Sequence, residues 1–332
     1  MNHQATNNPA EAGYLPGFAD VRAAALRIAP YVRRTPLLHS EELSHQLGVR
    51  CYFKCENFQY MGAFKARGAC NAVFALDAAA AARGVLTHSS GNHGAALARA
   101  AQLRGIPSYV VMPRNVAALK RANVAAYGAE IVECEATLAA REQTAAALQA
   151  RTGGCFVHPY DDPLVIAGQG TAMLELESAA FVPGAVLTPV GGGGLLSGTA
   201  LVTRRLWPQA RMLAAEPAGA DDAARSFASG ARQGVKAPQT MADGLRGELS
   251  ERTFELVRTS VDDIVTVTEA GIVAAMRLVW NRLKILIEPS SAVPVAALLE
   301  RRFAALPGPV VIVLSGGNVD LETLPFAAQP GV

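Results

Sequence analysis

Hydrophobic and polar positions follow two rhythms along this chain. Apolar residues recur at helical spacing over Phe18–Arg33, Lys65–Leu76, Asn92–Leu103, Ala117–Tyr127 and Leu138–Thr152. Between them stand short strand-like runs, Val49–Lys54, Gly84–His88, Ser108–Met112 and Glu130–Cys134. After Tyr160 the alternation restarts: helix over Leu164–Phe181, strand over Ala185–Val190, helix over Leu195–Leu206, strand over Arg211–Glu216. Two further helices are predicted before a last strand, Val310–Leu314, and Pro36 marks an extended segment. The tract Ala78–Ala82 reads as a helix end. Strands alternating with helices of this length indicate βαβ units, hence mainly parallel sheets with right-handed crossovers. Two such series predict an α/β protein of two lobes.

Such sheets bind ligands beyond the carboxyl ends of their strands. The residues that follow the strands are therefore the informative ones. Three of these loops are polar and glycine-rich: Ser89-Ser90-Gly91-Asn92-His93-Gly94, Gly191–Gly194, and Ser315-Gly316-Gly317-Asn318. Parallel strands would bring all three to one cleft. Four glycines opening a helix present a row of bare N–H groups, a nest for a phosphate. The run continues Leu195-Leu196-Ser197 without the lysine of a Walker loop, which argues against a nucleoside triphosphatase. A dinucleotide reading stays open as a competitor. Gly191-x-Gly193 opens a helix, and Glu216 ends the next strand where a ribose-binding acid would stand, although Leu196 occupies the third small position.

Lys65 follows a Gly62-Ala63-Phe64 turn and starts a helix. The helix dipole and apolar neighbours both disfavour an ammonium there, which favours a nucleophilic amine able to condense with an aldehyde cofactor. Taken alone, a lysine at a helix start is more often a solvated surface charge.

Composition narrows the field. A chain of 332 residues should bury about three quarters of its unfolded surface. With 51% hydrophobic and 17% charged residues, disorder from lack of apolar surface is excluded. The net charge is 30 − 28 = +2 with scattered cations, so no nucleic-acid groove is expected. No run reaches the roughly 20 apolar residues of a membrane helix, and the polar start of the chain carries no secretory pattern. A cytoplasmic protein with a frayed tail over 1–13 is the expectation. The five cysteines, an odd number, are then expected as reduced thiols. Cys51 and Cys55 lack the further ligands of a zinc cage.

Four segments in order, Lys54–Ala69, Ser89–Gly94, Gly191–Gly194 and Ser315–Asp320, resemble the pyridoxal-phosphate enzymes of the threonine dehydratase and serine racemase family. The resemblance runs from about Thr35 to Asp320. Within the family, Phe53-Lys54-Cys55-Glu56-Asn57-Phe58-Gln59, Gly62-Ala63-Phe64-Lys65 and Pro159-Tyr160-Asp161 are similar to the branch of serine/threonine dehydratases, serine racemases and threo-3-hydroxyaspartate ammonia-lyases.

The resemblance implies a two-lobed fold type II (tryptophan synthase β-like) enzyme, each lobe a parallel twisted sheet flanked by helices. Segments 14–56 and 160–332 would form the large cofactor domain, and 57–159 a small mobile one. By the same resemblance Lys65 is the Schiff-base lysine, Gly191, Gly192, Gly193 and Gly194 hold the cofactor phosphate, and Asn92 bonds the 3′-hydroxyl. Ser315 faces the pyridine nitrogen and Phe64 packs on the ring. Ser89, Ser90, Gly91, Asn92 and His93 grip the substrate carboxylate. Ser90 also matches the opposite-face acid of the racemases. Glu288 lies near the ring in a polar role, and Arg141 and Tyr160 could meet the distal end of a substrate. Glu216, Asp222 and the Ala220 carbonyl match a Mg²⁺ or Ca²⁺ site, although Asp221 and Asp222 also suit an ordinary acidic first turn. His158 reads as structural, and Trp207 and Trp280 as helix packing.

The chain departs from the family at Ala95, where glutamine is common, and at Ala292 and Pro294, where glycines are. No regulatory domain is expected after Asp320. The activity implied is dehydration and deamination of a β-hydroxy-α-amino acid (threonine, serine, 3-hydroxyaspartate or phenylserine) to a 2-oxo acid and ammonia, in a homodimer. An amino-acid racemase on the same scaffold is the alternative, and a nicotinamide-dependent oxidoreductase the remote one.

Overall fold

The computed structural model describes residues 13–89, 91–116, 118–235, 237–320 and 324. Among these, ten strands form two sheets. The larger sheet has the order β1 (Leu37–His39), β2 (Cys51–Cys55), β10 (Val310–Leu314), β7 (Ala185–Pro189), β8 (Arg211–Pro217) and β9 (Asp263–Val267). The smaller has the order β5 (Glu130–Cys134), β4 (Ser108–Pro113), β3 (Val85–His88) and β6 (Cys155–Phe156). Every pairing is parallel except β1 with β2. This is the α/β architecture that the alternation of strands and helices predicts.

Central strands of the larger sheet are apolar on both faces, as parallel strands covered by helices must be. All five residues of β7 and of β10 are buried. One apolar cluster packs Phe53, Leu187, Leu213 and Ile312 against Ile272, Met276 and Val293. A second lies across the sheet, with Val186, Met212 and Val311 against Leu196, Val202 and Val257. The two sheets turn the carboxyl ends of β3, β7 and β10 toward a shared cleft, so the three glycine-rich loops do converge.

Some boundaries differ from the pattern. The first helix runs Phe18–Ile28 rather than to Arg33, because Pro30 lacks the N–H needed to continue it. The predicted helix to Phe181 ends at Leu174 and tightens into a 3₁₀ turn, Glu175–Ser178. Between Glu216 and Val310 the described residues form four α-helices (Asp222–Ser229, Glu251–Ser260, Glu269–Leu283, Pro289–Leu299), a 3₁₀ turn (Asp243–Leu245) and β9, where two helices were expected. Ala78–Ala82 is a short helix of its own, capped by the Asp77 side chain. All five cysteines are free thiols. No helix among the described residues is long and apolar enough to cross a membrane.

Candidate active site

A cavity of about 250 Å³ opens where the three loops meet. Phe64, Lys65, Ser89, Gly91, Asn92, His93, Arg141, Gly191–Gly194, Glu288 and Ser315 all line it. Ser90 lies outside the described residues.

Lys65 reaches the cavity through main-chain pinning. Ala63 bridges Gly316, and the Phe64 N–H donates to the Ser315 carbonyl at 3.0 Å, so the helix Lys65–Ala75 starts against the end of β10. The Lys65 ammonium donates to the Pro159 carbonyl at 2.6 Å and stands 5.0 Å from the Phe64 ring centre. Burial pushes its pKa down to about 8, with the charge of Glu288 pulling the other way.

The glycine loop is glycine for steric reasons. A Cβ on Gly192 would fall 2.4 Å from the Tyr160 ring, and one on Gly191 would fall 2.8 Å from the Leu245 backbone. Gly193 takes φ +85°, a left-handed conformation ahead of the helix Gly194–Leu206. The loop and the helix N-terminus thus present main-chain amides without side chains, the cradle an anion needs.

Asn92 opens the helix Asn92–Arg104. Its amide nitrogen donates to both Glu288 carboxylate oxygens, each at 3.1 Å, and its oxygen accepts from the Asn318 amide at 2.9 Å. Glu288 is buried, which pushes its carboxyl up to about 7 against the opposing bond from Asn92. His93 is buried with Nε2 3.2 Å from the Val157 carbonyl, so that nitrogen carries the hydrogen. Burial and the neighbouring Lys65 hold its pKa well below the ordinary value. His158 accepts from the Asp161 N–H at 2.8 Å on Nδ1, and burial takes it down to about 4. Both imidazoles are neutral near pH 7 and leave Lys65 without cationic neighbours among them. Arg141 lines the cavity, bonds the Thr137 carbonyl at 3.4 Å, and has no carboxylate partner among the described residues.

Glu216, Ala220 and Asp222 are all buried but lie away from the cavity lining. Glu216 accepts from the Ala224 and Ala223 N–H groups at 2.6 and 3.3 Å. Asp222 accepts from the Leu249 N–H at 3.3 Å, while its Oδ1 has no hydrogen-bond partner among the described residues. Burial pushes Glu216 up to about 9 and Asp222 to about 6. No group of three or more His, Cys, Asp or Glu among the described residues is placed to hold a metal.

Sequence reasoning did not single out Lys120 or Asp243, which also line the cavity, and it reached Asn318 only as the end of the loop Ser315–Asn318. Lys120 and Asp243 stand in none of the sequence motifs, and only the tertiary fold brings them to the cavity.

The family model described as "Pyridoxal-phosphate dependent enzyme" matches residues 28–316. This chain belongs to that family. As a pyridoxal-phosphate enzyme it is 51% identical over 313 residues to the beta-hydroxyaspartate dehydratase of Paracoccus denitrificans (strain Pd 1222), covering 94% of this chain and 99% of that one. It superposes on maize serine racemase with TM-score 0.91 at 44% identity, covering 94% and 96% of the two chains. It superposes on the T.th. threonine deaminase with TM-score 0.87 at 47% identity, covering 92% and 99%. These neighbours share fold type II. The family retires the nicotinamide reading, and the geometry agrees: the Glu216 carboxylate is engaged by the N-terminus of the helix Asp222–Ser229, not aimed at the glycine loop. The cavity fits the family's cofactor, since it joins an amine with a depressed pKa to a main-chain nest that side chains cannot fill.

Proposed function

We propose that this pyridoxal-phosphate enzyme eliminates water from a β-hydroxy-α-amino acid and releases a 2-oxo acid and ammonia, with 3-hydroxyaspartate as the preferred substrate. The observation that carries the reading is the meeting of Lys65, Asn92 and the glycine loop in one cavity. When bound, pyridoxal phosphate supplies an aldehyde for amine exchange and a ring that draws electrons from the substrate Cα. The residues that would hold it are Lys65 at the aldehyde, Gly191–Gly194 at the phosphate, Asn92 at the 3′-oxygen, Ser315 at the ring nitrogen and Phe64 against the ring.

The chain's own groups supply the rest. Lys65, once free as the amine, takes the proton from Cα. The β-carbon–oxygen bond breaks, and the hydroxyl leaves as water by taking up one proton, which balances the one that Lys65 removed from Cα. The remaining enamine hydrolyses after release, so one water is lost and one regained. Ser89, Ser90, Gly91, Asn92 and His93 would bind the α-carboxylate at the start of the helix Asn92–Arg104, where the dipole favours an anion. Arg141 favours a second carboxylate on the substrate, because a cation on the cavity wall with no carboxylate partner among the described residues suits an acidic side chain better than a methyl or phenyl group.

We further infer that 57–159 and the remainder form two lobes that close over the substrate to exclude water; β3–β6 all fall within the first segment. Glu216, Asp222 and the Ala220 carbonyl would hold Mg²⁺ or Ca²⁺. Support comes from two buried carboxylates, one with an oxygen that has no hydrogen-bond partner among the described residues.

The test is a substrate panel scored by 2-oxo acid formation. The expected result is fastest turnover of 3-hydroxyaspartate, with Arg141→Gln raising its KM at least about tenfold and that of serine little. Equal preference for serine or threonine would remove the substrate assignment. A second reading, amino-acid racemisation, has support in the likeness to maize serine racemase. Chiral analysis decides it: D-serine formed faster than pyruvate would favour racemisation.

A further inference from the structure

A side-chain amide has a carbonyl end and an NH₂ end of nearly equal size, so packing hardly chooses which end faces which way. Hydrogen-bond partners choose. Asn92 is held by two such partners of opposite kind. The Glu288 carboxylate can only accept when ionised, and it takes the Asn92 nitrogen at 3.1 Å. Asn318 meets the other end, donating from Nδ2 to the Asn92 oxygen at 2.9 Å.

The orientation of Asn318 is itself set. The same Nδ2 donates to the Met61 carbonyl at 2.5 Å, an acceptor that can never donate. Met61 and Gly62 have φ of +65° and +66°, in the left-handed region. A Cβ on Gly62 would come within 2.5 Å of the Asn318 Oδ1, so glycine at that position leaves the room the amide occupies. The polar order therefore runs one way, from the Met61 carbonyl through Asn318 and Asn92 to Glu288. Turning Asn92 over would set its carbonyl against a carboxylate and its NH₂ against another NH₂.

We infer that Asn318 is a positioning residue: it fixes the amide of Asn92 so that Asn92 offers the cofactor a donor and not an acceptor. This rests on the reading that Asn92 faces the cofactor's 3′-oxygen. A donor at that oxygen stabilises its anionic form, which affects both cofactor affinity and the spectrum of the bound cofactor.

Two substitutions at Asn318 separate orientation from packing. Asn318 is exposed, so neither threatens folding. Asn318→Ala removes the donor and leaves Asn92 to Glu288 alone. Asn318→Asp keeps the shape but replaces the donor with an acceptor, which would draw the Asn92 NH₂ toward itself and turn the carbonyl to the cofactor. The measurements are the dissociation constant for pyridoxal phosphate, by titration of the apoprotein, and the pH midpoint of the bound cofactor's visible absorption. The expected order of affinity is wild type, then Asn318→Ala weaker by about threefold, then Asn318→Asp weaker by at least about tenfold, with the absorption midpoint of the Asp variant displaced. An Asp variant that binds as well as the Ala variant, or better, overturns the inference, since a residue that only packs is best replaced by its isostere. Asn92→Ala is the companion variant. If it binds the cofactor as tightly as wild type, the assignment of Asn92 fails and this inference fails with it.

Discussion

Lys120 and Asp243 form an ion pair across the cavity, joining the helix Ala118–Ala125 beside the smaller sheet to the turn Asp243–Leu245 beside the larger one. Both side chains are nearly half exposed, so the pair contributes little to global stability. The pair joins the two sides of the cavity, so breaking it is expected to speed the release of a bound substrate.

Asp243→Asn is therefore expected to change unfolding stability by less than about 1 kcal/mol while raising substrate KM about two- to fivefold. Added salt should narrow the difference, because the wild-type pair weakens as ions screen it. Steady-state kinetics at low and high salt, beside urea melts, check both. An unchanged KM would show that the pair is only a surface contact.

The depressed pKa of Lys65 predicts a pH dependence for cofactor capture by the apoprotein. The amine, not the ammonium, attacks the aldehyde, so the rate should rise as pH climbs through about 8 and level off above it. An ordinary surface lysine would not level off until beyond about pH 10. The same shift bears on stability. The folded state gives up this proton earlier than the unfolded state, so the lysine favours folding increasingly between about pH 8 and its ordinary pKa near 10.5. Stopped-flow reconstitution across roughly pH 6 to 10, which brackets the shifted value, checks the first point. Borohydride reduction and peptide mapping should place the pyridoxyl group on Lys65.

Gly192→Ala tests the cradle. Its methyl would stand 2.4 Å from the Tyr160 ring, closer than carbon atoms can approach, so either the ring or the loop must move. Because Tyr160 also lines the cavity, the expected outcome is loss of pyridoxal-phosphate affinity by more than about tenfold with the fold retained by circular dichroism. Wild-type affinity would mean the loop is not the phosphate cradle.

The parts of this site that rest on neighbouring residues were legible in the sequence. Gly191–Gly194 sits between a strand and a helix, and the position of Lys65 after Ala63-Phe64 is visible without any tertiary information. The parts built from distant residues were not. Lys120 and Asp243 are 123 positions apart, and Asn92 and Asn318 are 226 apart. Lys120 and Asp243 stand in no sequence motif, and although Asn92 and Asn318 fall in two of the marked glycine-rich loops, the bond between them exists only in the folded chain. β9 was missed because its five residues are too short and too unevenly buried to show a period of two. The early end of the first helix, by contrast, was written in Pro30 and outweighed by an apolar rhythm that continues past it.

Two residues beyond Lys65, Arg67 enters a buried charge cluster that holds the same helix in place. Its guanidinium donates to Glu56 at 2.7 and 2.8 Å and to Glu175 at 2.7 Å, and Lys54 donates to the Thr35 carbonyl at 2.8 Å and to Glu175 at 2.5 Å. Burial alone would drive the Glu56 carboxyl upward, yet Arg67 and Lys54 hold it below the usual carboxylate range. Arg67→Met would leave Glu56, which has no solvent exposure, facing one cation fewer. Removing one partner of a buried pair costs about 3–5 kcal/mol. The exposed pair Arg22–Glu177 is the control, where Arg22→Ala should cost under about 1 kcal/mol. The Glu56 contribution is present above its unfolded pKa and is lost as pH falls through its lower folded value, so the Arg67→Met deficit should be largest near neutrality and shrink in acid. Urea denaturation of both variants at neutral and acidic pH checks this, and an equal cost for the two variants would show that the cluster is worth no more than a surface contact.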